Sequence, residues 1–375
     1  MIETGVSAVS GLTIPAALGL RREAPPRATV LSDAFWERYD STTLFYIALH
    51  DAATRQLHVF APPLLNFAPL VRRAQFSIDG APLSAPRLSH ADKFDRLVFD
   101  RVPTGAMLTM TVDGTQSAMP VTACDPARFA GRRVIYTMSK NNDLPWIRDW
   151  LLWYQRLHKA DAVLFVDNAS TAYDAGALGA TLGAVAGYKA AQLVQAPFRY
   201  GPDMATATNS TYGEFVQTAF LNAFWMQSLR YARAMLNVDV DELIFSARGD
   251  AIFDAVETAP YGIVMASGQW RYARPGPTEV RHIDHTLALP NDASCPPKYC
   301  LRPGGLAARQ GLKVHGVRNF KRMPFVNRRE FFFLHCRNIS NSWKYERMHN
   351  DYAAMIEDPA TQAMLMRGLA ESVPS

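Results

Sequence analysis

Between residues 43 and 122 apolar side chains come in short strand-like runs, at 44–49, 56–60, 75–78, 96–99 and 107–112. Asp79-Gly80 and Asp113-Gly114 punctuate them as hairpin turns, so the stretch predicts a small all-β module. No catalytic constellation is visible in it. From Arg132 onward the period changes. Residues 133–138 and 161–167 are continuous apolar runs of buried-strand length, and Trp146, Ile147, Trp150, Leu151, Tyr154 and Leu157 recur between them at helical spacing. An Ala-rich helix at 175–186, a strand at 190–195, a helix over 212–233 carrying Phe215, Phe220 and Met226 on a sheet-facing side, and a strand at 234–240 continue the alternation. Further strands are expected at 261–266 and 331–335, with 273–303, rich in Pro, His and polar residues, as loop. Strands alternating with helices predict an α/β fold on a mixed, mainly parallel sheet, preceded by the β module. The expected divisions are a β-rich domain over 1–131 with its first ~30 residues poorly structured, an α/β domain over 132–350, and a helical tail over 351–375.

Composition narrows the class. Of 375 residues, 49% are hydrophobic and 19% charged, which excludes a disordered or fibrous chain. The net charge of +5 suits phosphorylated substrates as well as polyanions. Basic residues are scattered as pairs (Arg21-Arg22, Arg72-Arg73, Arg132-Arg133, Arg328-Arg329) and form no stripe interleaved with aromatics, which argues against nucleic acid as a partner. Four cysteines without a disulfide spacing point to a reducing compartment. Residues 6–20 are too short and polar to span a bilayer and lack a basic start. The expectation is a cytoplasmic protein, with peripheral association at the inner face of the membrane through an acceptor lipid or partner.

The chemistry concentrates at Asp239-Val240-Asp241-Glu242. On a strand, Asp239 and Asp241 would project to one side about 6–7 Å apart. Ligands of open α/β sheets bind at the carboxyl ends of strands. Two hard oxygen ligands there suit Mn²⁺ or Mg²⁺, which also takes oxygens from a diphosphate; the alternative is a solvated acidic turn. Asp167-Asn168-Ala169-Ser170-Thr171 comes after another buried strand, on the same edge. Its Asp167 could accept hydrogen bonds from a base or ribose, and Ser170 or Thr171 suits a helix N-cap.

Taken together, Thr137 to Asn142, Trp146-Ile147-Arg148-Asp149-Trp150, Val166 to Thr171 and Asn237 to Leu243 resemble, in order and spacing, the GT-A glycosyltransferases of the branch near families 2 and 92, which includes bacterial polysaccharide-assembly enzymes. The resemblance covers roughly 132–350. It implies a nucleotide-diphospho-sugar transferase domain and a metal-dependent transfer of the inverting type, from a UDP-sugar or similar donor to a glycan or glycolipid acceptor of cell-surface polysaccharide. Lys140, Asn141, Asp167 and Asn168 would line the nucleotide pocket, with Asp239 and Asp241 at the metal and diphosphate. Asn142 stands where relatives often carry an acidic residue. Lys298 and Arg302, similar to a basic segment of that branch, would hold phosphate oxygens, and the late His335 would complete the metal site, with His315 as the other candidate. Trp270 would offer an aromatic acceptor platform. A general base is not identified by the residues; Asp284 and Glu242 are the candidates.

Readings from other classes are kept open. His282, His285, Cys295 and Cys300 fall in one segment and would allow a zinc-stabilised binding or scaffold protein, though at an irregular spacing. A catalytically inactive sugar-binding relative would keep the fold without turnover. A metal-dependent hydrolase lacks a second Asp/His cluster at two-metal spacing.

Overall fold

The structure, a computed structural model, describes residues 2–26, 32–202, 213–276, 279–318, 330–339 and 352–370. The chain is a mixed α/β protein that divides into two compact units: residues 1–7, 128–195 and 231–375 form one, and residues 8–127 and 196–230 the other. The second unit is therefore discontinuous. Residues 196–230, expected in the α/β domain, join the β-rich one.

The α/β unit is built on nine strands: β1 (Thr4–Ala8), β2 (Arg133–Ser139), β3 (Ala162–Asp167), β4 (Ala190–Gln195), β5 (Ala234–Asn237), β6 (Glu242–Ser246), β7 (Ile263–Arg271), β8 (Cys295–Leu301) and β9 (Phe331–Cys336). Their order in the sheet is β1-β4-β3-β2-β5-β8-β7-β9-β6. β2, β3, β4 and β5 run parallel, while β8 is antiparallel to both β5 and β7. Thr4–Ala8 supplies an edge strand, so the opening residues are not as unstructured as their composition suggests.

Helix α1 (Leu144–His158) buries Ile147, Trp150, Leu151 and Tyr154 of the face that its apolar spacing predicts, leaves Trp146 and Leu157 half-buried, and buries Trp153 in addition. It also protects the far edge of the sheet. An edge strand carries unpaired backbone groups, and here Trp153 Nε1 and His158 Nε2 both donate to the Ile244 carbonyl at 2.6 and 2.7 Å. Tyr154 Oη donates to the Glu242 carbonyl at 2.8 Å and accepts from the Ile244 amide at 3.0 Å. Strand β8 corrects the loop expected over 273–303. Its Pro296 and Pro297 are tolerated because the pairing with β7 is irregular there and β5 pairs only from Tyr299 onward, so neither proline has to donate to a ladder. Gly268 opposite Cys295 is required by close approach: a Cβ there would lie 2.3 Å from Phe333 and 2.4 Å from the Cys295 Cβ.

The β-rich unit carries an eight-stranded sheet in which Gln75–Ile78 turns through Asp79-Gly80 into Ala81–Pro82, and Met107–Val112 through Asp113-Gly114 into Thr115–Ala123. Both turns have positive φ at both residues (46° and 84°, 49° and 77°), the geometry that Asp-Gly pairs favour in hairpins. Leu57, Val59, Leu97 and Phe99 face its core. The helix Val216–Phe224 packs in this unit, Phe220 lying 5.6 Å from both Tyr46 and Phe198 between ring centroids, rather than on the α/β sheet as its periodicity suggests. Of the tail, Pro359–Leu369 is helical as expected.

Candidate metal and donor site

Because β2, β3 and β5 are parallel, the chain leaves Ser139, Asp167 and Asn237 at one edge of the sheet; Ser139 lies opposite Asp167, and Tyr136 opposite Asn237. Strand β8 enters at this edge with Tyr299 opposite Asn237, which places Lys298 beside the residues just past Asn237. Those residues form a turn. The expected strand over 234–240 stops at Asn237, and the Glu242 amide closes onto the Asp239 carbonyl at 3.1 Å before β6 begins. Asp239 and Asp241 therefore do not project side by side from one strand; the turn separates their partners.

Asp239 belongs to Lys298. The Lys298 ammonium, fully buried, lies 2.5 Å from Asp239 Oδ2 and 3.0 Å from Glu242 Oε2. Glu242 Oε2 also accepts the Asp239 amide at 2.9 Å. Burial works against the ammonium, but the two carboxylates outweigh it and hold the Lys298 pKa above the usual lysine value. Burial pushes the Glu242 carboxyl up to about 7, with Lys298 opposing. Expected to hold phosphate, Lys298 instead neutralises the acidic turn from inside. Arg302, four residues on, is roughly 13 Å further along the strand direction and lies toward the opposite edge of the sheet, where Nη1 donates to the Glu257 carbonyl at 3.1 Å.

Asp241 belongs to His335. His335 Nε2 is 3.0 Å from Asp241 Oδ2. In the ladders, His335 pairs with Glu242 on β6 and with Trp270 on β7. Ligand atoms of Asp241, Glu242 and His335 lie within 4.8 Å of one another, the group among the described residues whose donors converge as a metal ion requires. Glu242 thus stands where Asp239 was expected in the ligand set. The imidazole is stacked on Trp270, with ring centroids 3.9 Å apart and planes at 16°. That contact covers one face of the indole expected to serve as an acceptor platform and fixes the ring of a candidate ligand.

The acidic turn is also gripped from behind. His282 Nε2 donates to the Val240 carbonyl at 2.8 Å, and its Nδ1 lies 3.6 Å from Asp149 of α1. Asp149 accepts both Arg281 Nε, at 2.8 Å, and Arg281 Nη2. Burial would raise the Asp149 carboxyl, but the nearby His282 ring and the Arg281 guanidinium that hydrogen-bonds it prevail and lower it. The one sign of this clamp in the sequence is Asp149 itself, a carboxylate on the apolar face of α1. Asp284, a base candidate, uses its carboxylate to accept the Arg281 amide at 2.7 Å and so caps its own short turn. Glu242, the other, is buried and committed to Lys298 and the Asp239 amide. His315 is exposed, its Nδ1 donating to the Pro297 carbonyl at 3.2 Å.

The loops after β2 and β3 interlock. Asn141, at φ 55°, accepts the Thr171 and Ala172 amides at 2.6 and 3.1 Å through its side chain, and its own amide donates to Ser170 Oγ at 2.8 Å. Asn168 donates its amide to the Ser139 carbonyl at 2.8 Å. The Asp167 carboxylate accepts the Ser170 hydroxyl; burial pushes its pKa up, with Ser170 and the charge of Lys140 opposing. The N-cap of the next helix, α2 (Ala175–Ala184), is Asp174, which accepts from the Ala177 amide at 2.7 Å, and not Ser170 or Thr171. Ala169 between the two loops' contacts has φ 57°, a left-handed conformation that costs a non-glycine residue about 1–2 kcal/mol.

The four candidate zinc ligands do not assemble. Cys295 and Cys300 are five residues apart on β8, roughly 16 Å, too far to share a tetrahedral ion. His285 is occupied at both nitrogens, Nδ1 donating to the Arg281 carbonyl at 3.0 Å and Nε2 accepting the Asn338 amide at 3.3 Å. No helix among the described residues is long and apolar enough to cross a membrane. Compared with protein-family models and with curated proteins, the chain matches none.

Proposed function

We propose that the chain is a metal-dependent glycosyltransferase that moves a sugar from a nucleotide-diphosphate donor, a UDP-sugar in the first instance, to a glycan or glycolipid acceptor of cell-surface polysaccharide. The observation that carries the reading is the convergence of Asp241, Glu242 and His335 at the carboxyl-end edge of parallel strands. Two carboxylates and an imidazole suit Mn²⁺, and Mg²⁺ less well. When bound, the cation would neutralise charge developing on the leaving diphosphate.

The chain's own residues do the rest. Asp241 and His335 are within hydrogen-bond distance and partly open to solvent, so they can present donor atoms outward. Lys298 removes the mutual repulsion of Asp239 and Glu242, which lets three carboxylates share one turn. The interlocked loops holding Asp167, Asn168, Asn141 and Lys140 form the nucleotide side of the pocket in this reading. A rigid loop of this kind lowers the ordering cost of binding.

The test is thermal unfolding with a panel of nucleoside diphosphates, with and without Mn²⁺. Ligand at about 100 times its dissociation constant stabilises by about 2.7 kcal/mol, roughly 5–10 °C here. A Mn²⁺-dependent shift with one nucleotide, absent in Asp241→Ala and His335→Ala, is the expected result. No shift with any nucleotide defeats the proposal.

A further inference from the structure

We propose that the β-rich unit holds a binding site for a small oxyanion, a phosphate or a carboxylate, formed by Arg96 and His58 on one face of its sheet. Three neighbouring strands build that face. Residues directly opposite in an antiparallel ladder share a face. His58 of Gln56–Ala61 lies opposite Val98 of Asp95–Phe99, and Val98 opposite Arg87 of Arg87–His90; likewise Phe60, Arg96 and Ser89 align. Leu57, Val59, Leu97 and Phe99 point the other way, into the core. His58 and Arg96 are thus diagonal neighbours, about 7–8 Å apart at the backbone, within reach of one ligand group for a side chain as long as arginine.

Both side chains carry an unmet hydrogen-bonding need. His58 is only 8% exposed, and its Nδ1 is enclosed without a hydrogen-bond partner. Arg96 Nε is enclosed and equally without a partner. Among the described residues no carboxylate pairs with the Arg96 guanidinium, and the carboxylates nearby are committed elsewhere. Asp51 is held by Arg230 at 2.7 and 3.2 Å. Asp100 is held by Arg87 at 3.1 Å and by Gln56 at 2.7 Å. Asp95, on the opposite face, is held by His90 and by the Leu64 amide, at 2.7 and 2.9 Å.

Enclosed polar atoms without hydrogen-bond partners require a cause, and an oxyanion would accept from Arg96 Nε–H and from the protonated ring nitrogen of His58. A planar guanidinium beside an imidazole matches a bidentate oxyanion. The electrostatics agree: burial and then Arg87 lower the Arg96 pKa, and burial and then Arg96 push His58 down to about 4. On this face Arg87 is paired with Asp100, while Arg96 has no carboxylate partner among the described residues. The site is in the other unit from the acidic turn, and it stands or falls without the transferase reading.

The experiment tracks the Arg96 Nε–H resonance of ¹⁵N-labelled full-length protein while inorganic phosphate, glucuronate or neutral glucose is added. The expected result is saturable displacement by phosphate, by glucuronate, or by both, and none by glucose. Response to phosphate alone assigns a phosphorylated ligand, and response to glucuronate alone a carboxylated sugar. Calorimetric affinity should fall about tenfold or more in His58→Gln and in Arg96→Gln, and change less than about twofold in Arg87→Gln. Arg96→Lys, which keeps the charge but loses the fork, should show the same tenfold loss and serves if Arg96→Gln does not fold. Displacement that never saturates, that is absent for both anions, or that survives unchanged in His58→Gln overturns the proposal.

Discussion

Lys298 on β8 and Arg96 on the sheet of the β-rich unit are both cations with atoms enclosed in a strand-built interior, yet their surroundings differ in kind. Lys298 is completely buried with two carboxylates within 3.0 Å, and they raise its pKa despite burial. Arg96 has a buried Nε, no carboxylate partner among the described residues, and a pKa lowered by burial. A buried charge is tolerated when it is paired and hydrogen-bonded, and otherwise needs an external partner. Lys298 is thus balanced from within its own unit, while Arg96 has no such balance among the described residues.

Deleting each charge puts this contrast to its most severe test. Lys298→Met leaves Asp239 and Glu242 facing one another and should cost about 3–5 kcal/mol in urea unfolding at neutral pH. Arg96→Met removes an uncompensated cation and should cost under about 0.5 kcal/mol or stabilise. Equal losses would erase the distinction.

Acid supplies the next largest effect. His158 is neutral in the fold, with Nε2–H donating to Ile244 and Nδ1 accepting the Ile252 amide at 3.1 Å, so a second proton has nowhere to go; burial lowers its pKa to about 4. His285 is held the same way and lowered to about 3. The unfolded chain takes up these protons near pH 6.5, before the fold does. Stability from each group is therefore complete above about pH 6.5 and is lost as pH falls toward 4, about 3 kcal/mol for His158 alone. Urea midpoints at pH 7 and pH 4.5 measure the loss, and His158→Gln should flatten the dependence.

Smaller effects refine each side. Trp270→Ala removes the stack that holds His335 and should weaken Mn²⁺ binding by calorimetry about fivefold, on the order of 1 kcal/mol; an unchanged affinity would show that the imidazole is oriented by other contacts. Arg96→Gln removes the charge that, after burial, keeps His58 deprotonated, so the His58 titration measured by NMR should move upward in pH.

Several features are legible in the sequence because their causes are local. Asp79-Gly80 and Asp113-Gly114 make their hairpins from their own backbone preferences, and the apolar runs at 133–138 and 190–195 are strands whatever lies beside them. The apolar face of α1 is equally readable. Strand β8 is hidden by Pro296 and Pro297, since nothing in the local sequence says that the neighbouring pairing is interrupted just there. The helix Val216–Phe224 shows its apolar side but not its partner.

The candidate site divides in the same way. Apolar pattern alone places Asp239, Asp241 and Glu242 at the carboxyl end of a buried strand and Asp167 on the same edge, but it runs that strand on to 240, where the fold ends it at Asn237. Which of them work together is a property of the assembled fold. The fold assigns Asp239 to Lys298, 59 residues away, and Asp241 to His335, 94 residues away, and sends Arg302 to the far edge. Charge pairing depends on cross-strand register, and register is set by ladders between segments distant in sequence, not by the residues that the ladders bring together.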